Sequence, residues 1–237
     1  MPKTSSSSDS NLLRLNKFLA THSGLSRREA DEKIMRKKVL VNGRPAKLGD
    51  RIGDNDEIKL DGKIISHSDR YLYLALNKPV GYVCSRHQQG TAPTIYSLLP
   101  KNLQHLKTVG RLDRDSEGLI LFTNDGDFNY QMTHPKFHKL KVYEVELDKD
   151  LAPLHQQSIS DFGIQLPDGP SRLILTKLTS SRHFRVEMSE GRNRQIRRTF
   201  LALGYTVTSL KRLAFGPYRL NNLPLGKYEF IPKILRA

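Results

Sequence analysis

Asp113 sits among arginines 111 and 114 in the run Gly110-Arg111-Leu112-Asp113-Arg114-Asp115-Ser116-Glu117-Gly118. A carboxylate held near a guanidinium stays ionised and aimed, which suits a nucleophile or the stabiliser of an electron-poor carbon. A second dense group is Ser189-Glu190-Gly191-Arg192-Asn193-Arg194-Gln195-Ile196-Arg197-Arg198, with four arginines around one turn. Guanidiniums in that number can grip phosphates or hold a buried carboxylate. Charge alone does not select chemistry for Asp113, because a solvated ion pair at a turn is common and contributes little. The elements that position these residues carry the decision.

Residues 119–123 are a short apolar run closed by the turn signal Asn124-Asp125-Gly126, and they predict a central strand. The charged segment before it cannot continue that strand and must form a loop at its mouth, where a rigid scaffold tends to present functional groups. Residues 71–76 form a second apolar run, suited to a strand covered on both faces, and Asn77-Lys78-Pro79-Val80-Gly81 then turns the chain. Asp127 can cap a short helix carrying Phe128 and Met132 that stops before Pro135. His134 and His138 have a metal-like spacing, but Pro135 breaks any helix between them and no third ligand is near, so no metal is expected. Residues 141–147 alternate as a strand and put Tyr143 inward with Val145 and Leu147. An inward tyrosine is either a core residue with a satisfied hydroxyl or a platform under an unstacked base. A strand with Phe184, Val186 and Met188 on one face leads into a helix ending at Gly204. Ile196, Phe200 and Leu203 form the apolar stripe of that helix, Arg194 and Arg198 lie opposite, and Arg197 falls at the boundary, free to turn towards a buried carboxylate.

The N-terminal part has another character. Residues 1–11 form a Ser-rich tail expected to be disordered, residues 12–62 a small domain, residues 63–70 a polar linker, and residues 71–237 a larger domain. In the small domain Leu12, Leu15, Phe18 and Leu19 recur at helical spacing up to Gly24. Ser26 and Glu29 make a capping box for a second helix to about Lys37, whose flank carries Arg27, Arg28, Lys33, Arg36 and Lys37. Val39 and Val41 then run into the hairpin turn Asn42-Gly43, and short strands around Ile52, Ile58 and Leu60 end near Asp61-Gly62.

Across all 237 residues, 39 Lys and Arg against 24 Asp and Glu leave a charge of +15, which favours a polyanionic partner, nucleic acid first. No apolar run approaches the ~18 residues of a spanning helix, and the first ten residues lack a signal-peptide core. The single Cys84 excludes an internal disulfide and fits a reducing cytoplasm. Such a charge also argues for a monomer.

Arg14-Leu15-Asn16-Lys17-Phe18-Leu19, Ser26-Arg27-Arg28-Glu29-Ala30 and Val39-Leu40-Val41-Asn42-Gly43 resemble the alpha-L RNA-binding motif, with Asn16 where Asp is usual. The resemblance implies that the basic flank of the second helix touches RNA phosphates. Asn77-Lys78-Pro79-Val80-Gly81, Gly110-Arg111-Leu112-Asp113 with Ser116, Gly118 and Leu119, Lys141-Val142-Tyr143, and Glu190 to Arg198 resemble, in order, the motifs of the RsuA-type rRNA pseudouridine synthases. That resemblance implies an α+β protein: the small RNA-binding domain, then a mixed, largely antiparallel sheet around a cleft. It implies isomerisation of a flipped-out uridine in ribosomal RNA or a pre-ribosomal particle, with no cofactor and no metal. Asp113 would be the catalytic carboxylate, Arg197 its partner, Tyr143 the platform under the uracil, and Arg111 the filler of the vacated space. Arg192, Arg194 and Arg198 would join the RNA-binding set. Lys78 is either a support for the loop or an RNA contact. Two other classes are consistent with parts of the pattern: a non-catalytic RNA-binding or ribosome-assembly factor, and a hydrolytic glycosidase pairing Asp113 with Asp115 or Glu117.

Overall fold

A computed structural model of the chain describes residues 12–66 and 71–234, which form two compact units. The expected tail, residues 1–11, and residues 67–70 of the expected linker lie outside the described residues.

In the first unit, β1 (Leu13–Arg14) enters α1 (Leu15–His22), and α2 (Arg27–Met35) follows. The Ser26 side chain accepts from the Glu29 amide and the Glu29 carboxylate accepts from the Ser26 amide, so the capping box starts α2 as its sequence predicts. The helix stops at Met35, short of Lys37, because Lys37 adopts a left-handed backbone. β2 (Val39–Val41) and β3 (Arg44–Pro45) form the predicted hairpin through Asn42 and Gly43, both at positive φ, the conformation that a tight two-residue hairpin turn requires. β4 (Arg51–Ile52) pairs with β1, while β5 (Ile58–Leu60) pairs with β2. β6 (Lys63–Ile65) then pairs with β5 around Asp61-Gly62, so the sheet extends into what the sequence suggested was linker. Leu15, Phe18, Leu19, Ala30, Ile34, Val39, Ile52 and Ile58 close the core of this unit.

The second unit is built on a nine-stranded sheet with the order β13-β14-β10-β15-β9-β7-β17, with β16 added to β15 and β8 to β9. These strands are β7 (Tyr73–Lys78), β8 (Lys107–Val109), β9 (Glu117–Thr123), β10 (Lys141–Leu147), β13 (Ile174–Lys177), β14 (His183–Met188), β15 (Val207–Phe215), β16 (Tyr218–Arg219) and β17 (Tyr228–Phe230), while β11 (Ile164–Leu166) and β12 (Gly169–Ser171) make a separate hairpin. The helices are α3 (Gly126–Thr133), α4 (Pro153–Gln157) and α5 (Gln195–Leu201). Every residue of β7 is buried, the apolar run from Tyr73 to Leu76 as expected and the polar Asn77 and Lys78 with it. All pairings in the sheet are antiparallel except β9 with β15.

That exception shapes the site. One edge of β9 is taken by β7, so the opposite edge must serve both β15, at Glu117 and Gly118, and β8, at Leu121 to Thr123. The loop from β8 back into β9, residues 110–116, therefore emerges where the sheet forks. At the fork a Cβ on Gly118 would stand 2.4 Å from the Arg212 carbonyl oxygen, and φ is +102°, so only glycine fits.

Candidate active site

The loop of residues 110–116 is held from below by Lys78 at the end of β7. Its side chain is fully buried, and Nζ donates to the carbonyls of Pro79 (3.0 Å), Asp113 (3.0 Å) and Ser116 (2.6 Å). The Gly81 amide donates to Arg114 O, and Ser116 N donates to Asp113 O across a four-residue turn. Of the two roles left open for Lys78, loop support is the one its geometry serves. Burial pushes its ammonium below the usual lysine range while nearby carboxylates oppose that.

The turn separates two acidic side chains. Asp113 keeps 30% of its side chain exposed, and the Arg194 Nη1 stands 3.8 Å from its Oδ2. Asp115, two residues on, takes both arms of the Arg194 guanidinium at 2.9 Å and the Arg197 Nε at 3.3 Å. Arg197 also donates to Asp115 O and Val207 O. The expected Arg197–Asp113 pair is thus corrected: the partner of Arg197 is Asp115, because the turn swings that side chain towards α5 and leaves Asp113 facing the cavity. Burial raises the Asp115 carboxyl, but the Arg194 fork and Arg197 more than offset it and hold the group below the usual range. Asp115 is therefore a clamp between loop and helix. Arg194 reaches it from a left-handed backbone at the start of α5.

Tyr143 on β10 is buried, as its alternation predicts, yet its hydroxyl makes no hydrogen bond and its ring no aromatic contact among the described residues. It lines the same cavity of about 830 Å³ as Asp113, Arg111, Lys141, Arg194 and Arg212. Arg111 is exposed at the rim, without a side-chain partner among the described residues. Lys141 donates to Ser189 O and Glu190 O, and burial followed by the charge of Arg212 lowers its pKa to about 8. Arg212 on β15 is almost wholly buried, with Nε on Leu119 O at 2.7 Å. Arg212 is not legible in the sequence, since one cation in an apolar strand carries no motif signal; only its pairing partner on β10, Tyr143, marks it.

Other expected site residues divide by exposure. Arg192 is spent on Asp168, Gly169 O, Pro170 O and Glu190, and Arg198 forms a two-armed pair with Asp168 at 2.7 and 3.0 Å. These correct the expectation that both face a phosphate backbone: they pin α5 to the β11–β12 turn. In the first unit Arg27, Arg28, Arg36 and Lys37 are exposed, whereas Lys33 is paired with Asp61. Asn16, in the place of the usual Asp, donates to both oxygens of Asp31 at 3.0 and 3.2 Å. Among the described residues no His, Cys, Asp and Glu group could hold a metal, and no helix is long and apolar enough to cross a membrane.

The family model described as RNA pseudouridylate synthase matches residues 72–202, and that of the S4 domain matches residues 13–58. The chain belongs to the RNA pseudouridylate synthases, an isomerase of the RsuA type with an N-terminal S4 domain. It is 37% identical over 224 residues to the ribosomal small subunit pseudouridine synthase A of Pasteurella multocida (strain Pm70), covering 92% of this chain and 95% of that protein. The dual-specificity RNA pseudouridine synthase RluF of Salmonella typhi is 34% identical over 220 residues, covering 91% of this chain and 74% of that one. The ribosomal large subunit pseudouridine synthase B of Pseudomonas aeruginosa is 33% identical over 231 residues, covering 91% and 58%. A crystal structure of a pseudouridylate synthase superposes with a TM-score of 0.66 at 33% identity, covering 93% of this chain and 96% of the other.

Proposed function

We propose that the enzyme converts a specific uridine of ribosomal RNA to pseudouridine, with Asp113 as the catalytic carboxylate. The observation that carries this reading is one cavity lined by a partly exposed carboxylate, Asp113, and by an inward aromatic ring, Tyr143, unpartnered among the described residues. A base inside a helix is out of reach of either, so the uridine must leave its stack and enter the cavity. There Tyr143 stacks on the uracil, and Asp113 attacks C1′ or stabilises the cation left by glycosidic cleavage. The base turns and rejoins through C5, and Tyr143 assists removal of the C5 proton. Nothing is gained or lost overall, so no cofactor is needed. Arg111 fills the space the uridine vacates. Arg194 and Arg197 hold the loop through Asp115, so that Arg197 is a positioning residue. Arg27, Arg28, Arg36 and Lys37 of the S4 domain meet RNA phosphates, and Lys33 does so after release from Asp61. The protein acts as a cytoplasmic monomer on rRNA or on a particle that contains it.

Small-subunit and large-subunit synthases both stand among the relatives, so the test must cover both rRNAs. Pseudouridines are mapped in rRNA from cells with and without the gene, and rRNA from the deleted strain is then treated with wild-type or Asp113→Asn protein. One uridine lost from the map on deletion, restored by wild type and not by the variant, is the expected outcome. Restoration by Asp113→Asn would remove Asp113 from the chemistry; an unchanged map would remove rRNA from the reading.

A further inference from the structure

The cavity holds a cation for which the chemistry above has no use. Arg212 is 2% exposed and faces Tyr143 across the β10–β15 pair. Its Nε donates to Leu119 O at 2.7 Å and its Nη1 reaches Arg111 O only at 3.5 Å, while Nη2 is buried without a partner. No carboxylate pairs with it among the described residues, and the Phe215 ring, 5.1 Å from Cζ, offers only a cation–π contact. Lys141, which lines the same cavity, has carbonyl partners instead. A buried guanidinium with an open donor and no counter-charge is costly unless something arriving with the substrate completes it.

An RNA phosphate and the uracil could each supply that charge. Depth separates them: Arg111, the cavity cation suited to a phosphate, is exposed, whereas Arg212 is covered and lies beside the ring that receives the base. We propose that Arg212 Nη2 donates to a carbonyl oxygen of the flipped uracil and stabilises the negative charge that the base acquires when its glycosidic bond breaks. This rests on the pseudouridine synthase reading of the same cavity. In that step the C1′–N1 bond breaks and its electron pair leaves with the base, giving a uracil anion shared by N1, O2 and O4, while Asp113 takes C1′. C5 then bonds to C1′, Asp113 departs, the C5 proton is lost and N1 regains a proton. A donor beside the base that meets charge existing only after bond breaking accelerates the step instead of merely tightening binding.

The experiment compares wild type, Arg212→Met and Arg212→Lys on full-length rRNA transcripts, made with uridine or with 5-fluorouridine. Single-turnover consumption of the target nucleoside is read by mass spectrometry, and RNA affinity and folding are measured in parallel. Arg212→Met should lose roughly 100-fold or more in rate, the scale of losing one preorganised donor, with RNA affinity within about threefold of wild type. Arg212→Lys should fall between. The loss should shrink at least about tenfold on 5-fluorouridine, because fluorine stabilises the departing anion and lessens the need for the donor. If Arg212→Met fails to fold, the same contrast with Arg212→Lys decides. Equal rate losses on both RNAs, wild-type rates in both variants, or a loss of affinity with a shallower salt dependence would overturn the proposal, the last making Arg212 a phosphate contact. A wild-type protein inactive on every uridine would instead refute the underlying reading.

Discussion

At the scale of single residues, the fully buried Lys78 and the half-buried Lys141 carry consequences opposite to those of surface lysines. Lys78 donates to three carbonyls beneath the loop of residues 110–116, so Lys78→Met takes that donor away from all three, and of these Asp113 O keeps the Ser116 amide. A loss of about 2–4 kcal/mol in urea unfolding is expected, with conversion of uridine falling further than RNA affinity; a variant with unchanged stability would reduce Lys78 to a spectator. Lys141 has a pKa of about 8 when folded and the usual 10.5 when unfolded. Between those values the unfolded chain holds a proton that the folded one lacks, so this residue makes stability rise with pH there and adds no slope well below 8. The stability difference between wild type and Lys141→Met should therefore shift in favour of wild type from pH 8 to 10, and a difference constant with pH would contradict the burial of that ammonium. What the sequence made legible at this scale was type and neighbourhood: Asp113 and Tyr143 reach one cavity as their patterns predict. Which acid pairs with Arg197 was not legible, because Asp113 and Asp115 differ only by their place in a turn whose geometry depends on Lys78, thirty-five positions earlier in the chain.

At the scale of elements, local signals read well and non-local pairings did not. The capping box, the Asn42-Gly43 hairpin and β10 each follow from residues adjacent in sequence. β6 was missed because its two isoleucines follow a turn that also suits the end of a domain. The parallel contact of β9 with β15 joins segments about ninety residues apart, and no periodicity announces it. Gly118 was visible only as a loop glycine, yet it permits that contact. Gly118→Ala would drive a methyl into the Arg212 backbone from a left-handed conformation that alanine resists. A loss of about 3 kcal/mol or more is expected, seen as a lower urea midpoint, together with loss of activity as the fork and Arg212 shift. A stable, active Gly118→Ala would mean that the two strands can separate without harm to the site.

At the scale of the whole molecule, the proposed function assigns affinity to one unit and chemistry to the other. The groups proposed to surround the uridine, Asp113, Tyr143 and Arg212, all belong to the second unit, whereas the S4 unit presents Arg27, Arg28, Arg36 and Lys37 to solvent. Each phosphate neutralised releases counterions, so every S4 contact adds to the slope of log affinity against log salt, by about 0.7 to 0.9. Replacing those four cations together by glutamine should weaken rRNA binding most at low salt and reduce the slope by about 2 to 4. The single-turnover rate at saturating protein should remain within a few fold of wild type, since the substitutions touch neither the loop nor the cavity. A variant with unchanged slope would show that the S4 face does not lie on phosphates. One that binds normally but turns over slowly would instead make that domain part of the machinery that orients the uridine, and would move the origin of site selection from affinity to alignment.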